Sequence, residues 1–312
     1  MHNMKLTVAY DGTDFRGWQI QPGQPTIQGL LTDVVRQLTQ DSVTLQGAGR
    51  TDAGVHAWGQ VVSFKTQSGL APQELQRGCN ALLPPSIRVR DAEEVGPDFH
   101  ARWDAQAKTY SYSIYRGSVV PPFRWRYVLH VPQELDFEGM AQAARCFEGQ
   151  RDFTSFSAST GSEEDDKDRM MIRSIFRSEL IDLSANAPPD LSDLPWGSQP
   201  CSEEWVYLVR GKSFLRYMVR KIIGTILHVG RGRIAASDIP TLLEKRDRRC
   251  SGPTAPAHGL CLQSVEYPDP TDSLASASLG ARRKRRGKSS TEGGAHRDSL
   301  LGPPKTIRVE FE

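Results

Sequence analysis

The order of the elements in the first third of the chain restricts its fold more than any other feature of the sequence. Alternating apolar and β-branched residues predict strands, and apolar residues spaced by three and four predict amphipathic helices. The predicted elements are, in order, a strand at 4–10, a helix that follows an N-cap at Thr26, strands at 43–45 and 60–65, a helix at 72–83 and a strand at 87–95. This β-α-β-β-α-β order predicts a ferredoxin-like unit, in which two helices back an antiparallel sheet.

The rest of the chain up to Tyr267 also alternates between strands and helices. Strands are predicted at 108–115, 171–183, 205–210 and 260–267, and helices at 137–147 and 214–229. The last helix is apolar at most positions and is therefore expected to be buried, although Arg216 and Arg220 interrupt it at the i, i+4 spacing of one helix face. An acidic run at 161–169 is typical of a solvated loop, and 184–202 reads as an irregular insertion.

Composition excludes several classes of protein. The 312 residues are 38% hydrophobic and contain no apolar run as long as a membrane span. Five widely spaced cysteines without a C-x-x-C pair predict reduced thiols in a cytosolic protein, and no leader segment is predicted at the N-terminus. The net charge is +2, but residues 268–312 hold nine Lys and Arg against six Asp and Glu, which leaves the remainder at −1. A surface that binds nucleic acid must therefore be a local patch.

A glycine-rich loop at 47–57 lies between two predicted strands and carries Arg50, Asp52 and His56. Polar residues on such a loop are candidates for chemistry, because glycine allows tight turns and a close approach of a ligand. Two other interpretations remain open from these residues alone. Asp52 could bond its own backbone in an Asx-turn. Asp52 and His56 could bind a metal, but the sequence nearby offers no further ligand, so we predict no metal.

Residues 49–57, G-R-T-D-A-G-V-H-A, resemble the active-site loop of the tRNA pseudouridine synthase A family. Four further segments resemble that family in the same order along the chain. They are 10–21 (Y-D-G-T-D-F-R-G-W-Q-I-Q), 99–110 with its F-H-A-R start, 152–156 (D-F-T-S-F) and 214–224 (F-L-R-Y-M-V-R-K-I-I-G). Residues 250–262 resemble the last signature of the family, with Ser251 as a mild departure. The resemblance covers about residues 4–267.

This resemblance implies an α+β protein in which two ferredoxin-like or RRM-like halves with antiparallel sheets join into a pseudouridine-synthase fold. The implied domains are 1–104, with the catalytic loop, and 105–267. Residues 268–312 form a low-complexity tail that is predicted to be disordered, with a basic run at 282–288. An RNA-binding arm is the alternative interpretation of that run.

The resemblance also implies a reaction, the isomerisation of uridine to pseudouridine at positions 38, 39 and 40 in the anticodon stem-loop of tRNA. The reaction needs no cofactor. Asp52 is implied as the essential carboxylate, either as nucleophile or as base, Arg220 as its partner, and Tyr110 as the residue that packs on the target base. Arg50 is expected to fill the space that a flipped base leaves.

Arg16 and Gln19 are expected to contact RNA from the loop at 15–21. The family implies a homodimer in the cytoplasm, and no membrane association is expected. Two rival hypotheses remain. A non-catalytic RNA-binding protein on the same fold would not need Asp52, Tyr110 and Arg220 together, and a metal-dependent RNA hydrolase would lose its activity to a chelator.

Overall fold

The computed structural model describes residues 1–158, 171–183 and 204–268. The described strands are β1 (His2–Tyr10), β2 (Gln46–Gly47), β3 (His56–Thr66), β4 (Ile87–Val95), β5 (Ala107–Tyr115), β6 (Leu129–His130), β7 (Gly149–Asp152), β8 (Ile172–Asp182), β9 (Glu204–Gly211) and β10 (Leu260–Glu266). The helices are α1 (Ile27–Thr39), α2 (Pro72–Leu82), α3 (Phe137–Arg145), α4 (Met218–Gly230) and α5 (Ile239–Glu244). The predicted acidic loop, the whole insertion at 184–202 and the tail beyond Pro268 lie outside the described residues.

The strands form one sheet in the order β4-β1-β3-β10-β5-β9-β8-β7, with β2 beside β3 and β6 beside β5. The order β4-β1-β3-β2 in the first half is that of a ferredoxin-like unit, and β10-β5-β9-β8 repeats it in the second. All pairs within these two sets are antiparallel. The fold of two ferredoxin-like halves is therefore confirmed.

The two halves share one sheet because β10 lies between β3 and β5. Cys261 pairs with His56 and Leu262 with Ala57 in parallel register, whereas β10 runs antiparallel to β5. Residues 1–268 form one compact unit. The boundary between residues 104 and 105 stays a prediction.

The helices and the sheet enclose a core that extends through both halves. Thr26 caps α1, since its hydroxyl accepts a hydrogen bond from the Gly29 amide at 3.3 Å, as the sequence predicted. Apolar side chains from one face of the sheet, such as Leu6 and Tyr112, belong to the same buried cluster as Ile222 of α4. In the part of the chain that is described, no helix is long and apolar enough to cross a membrane.

The predicted strand at 43–45 is wrong. Val43 and Leu45 are buried, which explains the apolar pattern, but the segment forms no strand. Side chains of α1 take up its carbonyl groups: Arg36 donates to Val43 O at 3.0 Å and Gln28 to Leu45 O at 3.0 Å. The paired strand is the short β2, which begins at the next residue, Gln46.

The helix predicted from Phe214 begins four residues later, at Met218. Tyr217 precedes it with φ of 60°, in the left-handed region, so residues 214–217 cannot continue the helix towards the N-terminus. Leu215 is buried, and its amide donates to the sulfur of Met218 at 3.5 Å. The prediction that Arg216 and Arg220 share one helix face is consequently wrong, because Arg216 lies in the turn before α4.

Candidate active site

The loop between β2 and β3 is held by hydrogen bonds from side chains of the neighbouring strands. Gln60 is fully buried and donates to Gly49 O at 2.9 Å. Lys108 on β5 donates from Nζ to Ala48 O at 2.7 Å. The hydroxyls of Tyr10 and Thr51 lie 2.8 Å apart. These contacts hold the residues on both sides of Arg50, so the loop leaves the sheet in a defined direction.

The segment at 12–18 packs against the same loop through its backbone. The amide of Trp18 donates to Thr51 O at 3.1 Å. Gly17 has φ of +90°, and a Cβ atom there would lie 2.8 Å from Thr51 O. A Cβ on Gly12 would lie 2.0 Å from Val55 O. Glycine is required at both positions, and both lie in the segment that resembles the family.

Asp52 lies in the middle of this loop and pairs with Arg220, which belongs to the first turn of α4. Arg220 Nη1 is 3.3 Å from Asp52 Oδ2, while Arg220 Nε donates to Ala255 O at 2.7 Å. Within the described residues the Asp52 carboxylate bonds to no loop amide, so the Asx-turn interpretation is not supported. The side chain of Asp52 is 25% exposed and that of Arg220 is 15% exposed. Asp52 is therefore held and still reachable.

The segment before β10 holds Arg220 in place through close backbone packing on α4. A Cβ on Gly224 would lie 1.6 Å from Pro253 O. The amide of Gly252 donates to Thr225 Oγ1 at 2.8 Å, and the amide of Ala255 donates to Arg220 O at 3.0 Å. Ala255 thus both donates to the backbone of Arg220 and accepts from its side chain.

Burial and the neighbouring cations have opposite effects on the pKa of Asp52. Burial raises the pKa of its carboxyl group above the usual value, and Arg220, followed by Arg216, partly offsets that rise. The two arginines thus stabilise the ionised carboxylate in a place that disfavours it. Arg216 contributes although it lies outside the helix.

Tyr110 is buried next to this pair, on β5. Its ring lies edge-to-face on Phe214, with 5.2 Å between the ring centroids. Burial raises the pKa of Tyr110 strongly, and the nearby charges of Tyr10 and Asp52 add to the effect. Tyr110 is therefore a neutral phenol at physiological pH, close enough to Asp52 to sense its charge.

Among the described residues, Arg50, Arg16 and Gln19 form no hydrogen bond or ion pair with the side chains of Asp52 and Arg220. Arg50 and Arg16 are exposed, and no ion pair of either guanidinium occurs among the described residues. Gln19 donates to the side-chain oxygen of Gln28 at 2.8 Å. The two arginines are free to meet a ligand, whereas Gln19 is partly committed to Gln28.

His56 is buried beside this loop and bonded through its ring nitrogens. Its Nδ1 accepts from the Gly12 amide at 3.1 Å, and its Nε2 faces the carbonyls of Arg126 and His258 at 3.0 and 3.1 Å. Both ring nitrogens are engaged, which argues against the metal interpretation. Over the described ranges, no three His, Cys, Asp or Glu side chains come together as metal ligands.

Two neighbours of the site were not singled out from the sequence. Lys108 shares one face of β5 with Tyr110, and that alternation was the available signal. Burial, with a smaller effect of Arg102, lowers the pKa of Lys108 to about 8. Tyr217 contacts Arg220. Its left-handed backbone could not be predicted from the spacing of apolar residues.

Comparison with known proteins identifies the class to which this sheet and its carboxylate–guanidinium pair belong. The family described as tRNA pseudouridine synthase matches residues 6–104 and 143–268. The chain belongs to this family, and it is an isomerase that forms pseudouridine in tRNA.

The curated relatives carry a more specific name. "tRNA pseudouridine synthase A" of Solibacter usitatus is 44% identical over 267 residues, which are 86% of this chain and 100% of the relative. That of Moorella thermoacetica is 40% identical over 85% of this chain and 99% of the relative. A chain in a crystal structure of a Cbf5–Nop10–Gar1 complex is 13% identical with a TM-score of 0.29, over 85% of this chain and 60% of that chain. That distant likeness supports no conclusion.

Proposed function

We propose that the protein converts uridine to pseudouridine at positions 38, 39 and 40 in the anticodon stem-loop of tRNA, with Asp52 as the essential carboxylate. The family supplies the reaction class and the tRNA substrate. The observation that carries the role of Asp52 is its pairing with Arg220, 168 residues away in sequence, on a carboxylate that stays partly exposed. A carboxylate that only stabilised the fold would not need to be reachable.

The reaction breaks the bond between N1 of uracil and C1′ of the ribose and forms a bond between C5 and C1′. C5 loses a proton and N1 gains one, so no electrons are transferred to or from the protein. An ionised carboxylate can attack C1′ or remove a ribose proton, and both roles are open to Asp52. Arg220 keeps Asp52 ionised when RNA covers the site and removes water.

Tyr110 lies beside Asp52 and is proposed to pack against the target base. Its raised pKa makes the phenol a poor base, so its contribution is contact and orientation. Arg50 is proposed to fill the gap left by the flipped uridine, since its side chain is exposed two residues from Asp52. Arg16 and Gln19 are proposed as further RNA contacts.

Two properties rest on membership of the family. We propose that the protein is a homodimer and that it works in the cytoplasm. Light scattering coupled to gel filtration tests the first, because a mass near 34.7 kDa would identify a monomer instead. Fractionation of cells that express a tagged chain tests the second.

Release of tritium from [5-³H]uridine-labelled tRNA tests the reaction and the role of Asp52. Only substitution at C5 releases the label, so we expect release by the wild type in the presence of EDTA and none by Asp52→Ala. Asp33→Ala, which removes an exposed aspartate of α1, is the matched control and should retain activity. Substrates with cytidine at 38, 39 and 40 should release no label above background.

The rival hypotheses give different results in the same assay. Binding of tRNA without release by the wild type would favour a non-catalytic RNA-binding protein. Loss of activity in EDTA, together with cleavage of the RNA, would favour a metal-dependent hydrolase. Release by Asp52→Ala at the wild-type rate would refute the role of Asp52 and leave the reaction intact.

A further inference from the structure

Three non-glycine residues in the described part of the chain have a positive φ: Gln40 (54°), Tyr217 (60°) and Arg246 (50°). Gln40 follows the end of α1, where left-handed backbone is common. Tyr217 precedes the start of α4, where the N-cap residue is normally extended. A bulky side chain is strained in this conformation, and strain of this kind is frequent at functional sites.

The ring of Tyr217 is close to two guanidinium groups. The central carbon of Arg216 is 4.9 Å from the ring centroid and that of Arg220 is 5.0 Å from it. Arg216 Nη2 also donates to the Tyr217 hydroxyl at 3.3 Å. Cations over an aromatic face are attracted by its negative charge density, so the ring favours this placement of both arginines.

Both arginines act on the same carboxylate. Arg220 bonds to Asp52 directly, and the charge of Arg216 also favours the ionised form of Asp52. Arg216 lies before the helix and Arg220 within it, so a continuous helix does not hold them together. The turn at Tyr217 connects the two, and its carbonyl accepts the amide of Lys221 at 2.9 Å as α4 begins.

We propose that Tyr217 is a positioning residue of the active site, whose left-handed backbone and ring together direct the guanidinium groups of Arg216 and Arg220 towards Asp52. The inference rests on the proposed function of Asp52. Tyr217 would act in two ways. Its backbone determines the direction of the chain before α4, and its ring determines the positions of the two guanidinium groups. A residue that adopts the same backbone without a ring should lose the second contribution alone.

Tyr217→Asn and Tyr217→Phe separate these contributions. Asparagine tolerates the left-handed conformation, so Tyr217→Asn should melt within about 2 °C of the wild type. We expect its kcat in the tritium assay to fall by at least about tenfold, because a misplaced catalytic group is costly even when substrate still binds. Tyr217→Phe keeps the ring and should retain kcat within about twofold.

Gln40→Asn is the matched control, since it replaces another left-handed residue on a helix that does not contribute to the site. It should keep both its melting temperature and its kcat. An unchanged kcat in Tyr217→Asn, or a loss in Tyr217→Phe equal to that in Tyr217→Asn, would overturn the role of the ring. A fall in melting temperature large enough to unfold Tyr217→Asn at the assay temperature would assign Tyr217 to stability instead.

A second readout does not depend on catalysis. The carboxyl carbon of Asp52 can be followed by ¹³C NMR in aspartate-labelled protein, with the signal assigned by its absence in Asp52→Asn. If Tyr217 directs the two arginines, the pKa of Asp52 should be higher in Tyr217→Asn than in the wild type and unchanged in Tyr217→Phe. Equal values in all three proteins would reject the proposal even if the wild type proved inactive on the chosen tRNA.

Discussion

At the scale of single residues, the active site depends on a carboxylate in a place that disfavours its charge. Burial is the largest influence on Asp52, and the two arginines offset only part of it. The carboxyl group therefore has a higher pKa in the folded protein than in the unfolded chain. By linkage, the ionisation of Asp52 reduces the stability of the fold as pH rises through the folded-state pKa.

Asp52→Asn tests this sign. The variant resembles the protonated carboxyl group, so its stability relative to the wild type should increase as pH rises through the pKa of Asp52 and then level off. Below the unfolded value of 3.8 the difference should not change with pH. Chemical denaturation of both proteins between pH 3 and pH 8 measures the difference. A relative stability of Asp52→Asn that decreased with rising pH would show that the arginines outweigh burial.

Arg220 should not be replaceable by lysine. Its guanidinium donates to Ala255 O through Nε and faces Asp52 through Nη1, and a single ammonium group cannot reproduce that fork. We expect Arg220→Lys to reduce kcat by about 10²-fold or more while tRNA binding changes little. Measuring both kcat and the Kd for tRNA tests this expectation. A variant with wild-type kcat would show that a positive charge alone is sufficient at this position.

At the scale of secondary-structure elements, the spacing of apolar residues predicted which residues are buried. The apolar stripe predicted for α1 contains Ile27, Leu31 and Val35, and all three are buried in the structure. The pattern failed at Val43 and Phe214. Burial produced an apolar sequence there too, but side-chain hydrogen bonds and a left-handed turn replaced the regular backbone. Apolar spacing reports burial, and it does not report which groups bond to the backbone.

The candidate site was predictable only where a motif carried it. Asp52 and Arg220 lie far apart in sequence. The resemblance to the family predicted that they pair, and in the structure they form an ion pair. No local signal marked Tyr217, since its conformation depends on the tertiary position of α4. The support that Lys108 gives to Ala48 likewise depends on the sheet order, which brings β5 near the loop.

Gly224→Ala tests the packing between α4 and the segment before β10. Alanine favours a helix over glycine by about 1 kcal/mol, but its Cβ would meet Pro253 O, a backbone atom that cannot move alone. We expect a net loss of stability of about 1–3 kcal/mol and a lower kcat, because Ala255 would move with Pro253. Thermal melts and the tritium assay measure the two effects.

Gly78→Ala in α2 provides the control for that substitution. Its Cβ would lie 2.8 Å from a methyl carbon of Leu38, which is the end of a flexible side chain and can move aside. This variant should keep its activity and melt close to the wild type. If both glycine variants behaved alike, the contact with Pro253 would not be the cause.

At the scale of the whole molecule, the described unit and the tail divide the charge between them. Residues 268–312 carry a charge of +3 and the rest carries −1, so long-range attraction to RNA is stronger at the tail. The curated relatives nevertheless match over only 85–86% of this chain and 95–100% of their own lengths. The proposed site lies wholly within residues 1–268.

A chain that ends at Pro268 should therefore retain kcat within about twofold, because no residue of the proposed site lies in the tail. Its affinity for tRNA at several salt concentrations shows whether the basic run at 282–288 binds phosphate. A shallower salt dependence than that of the full chain would assign the run to RNA. Loss of kcat would show that the tail takes part in the reaction.

The position of β10 has a consequence for the synthesis of this protein. The strand is the last in the described chain, yet it fills the middle of the sheet between β3 and β5. As the polypeptide leaves the ribosome, the loop with Asp52 and the helix with Arg220 emerge before the strand that joins their halves. Any nascent or truncated chain that stops before Leu260 lacks this central strand, so catalytic competence should be acquired late in translation and in a single step.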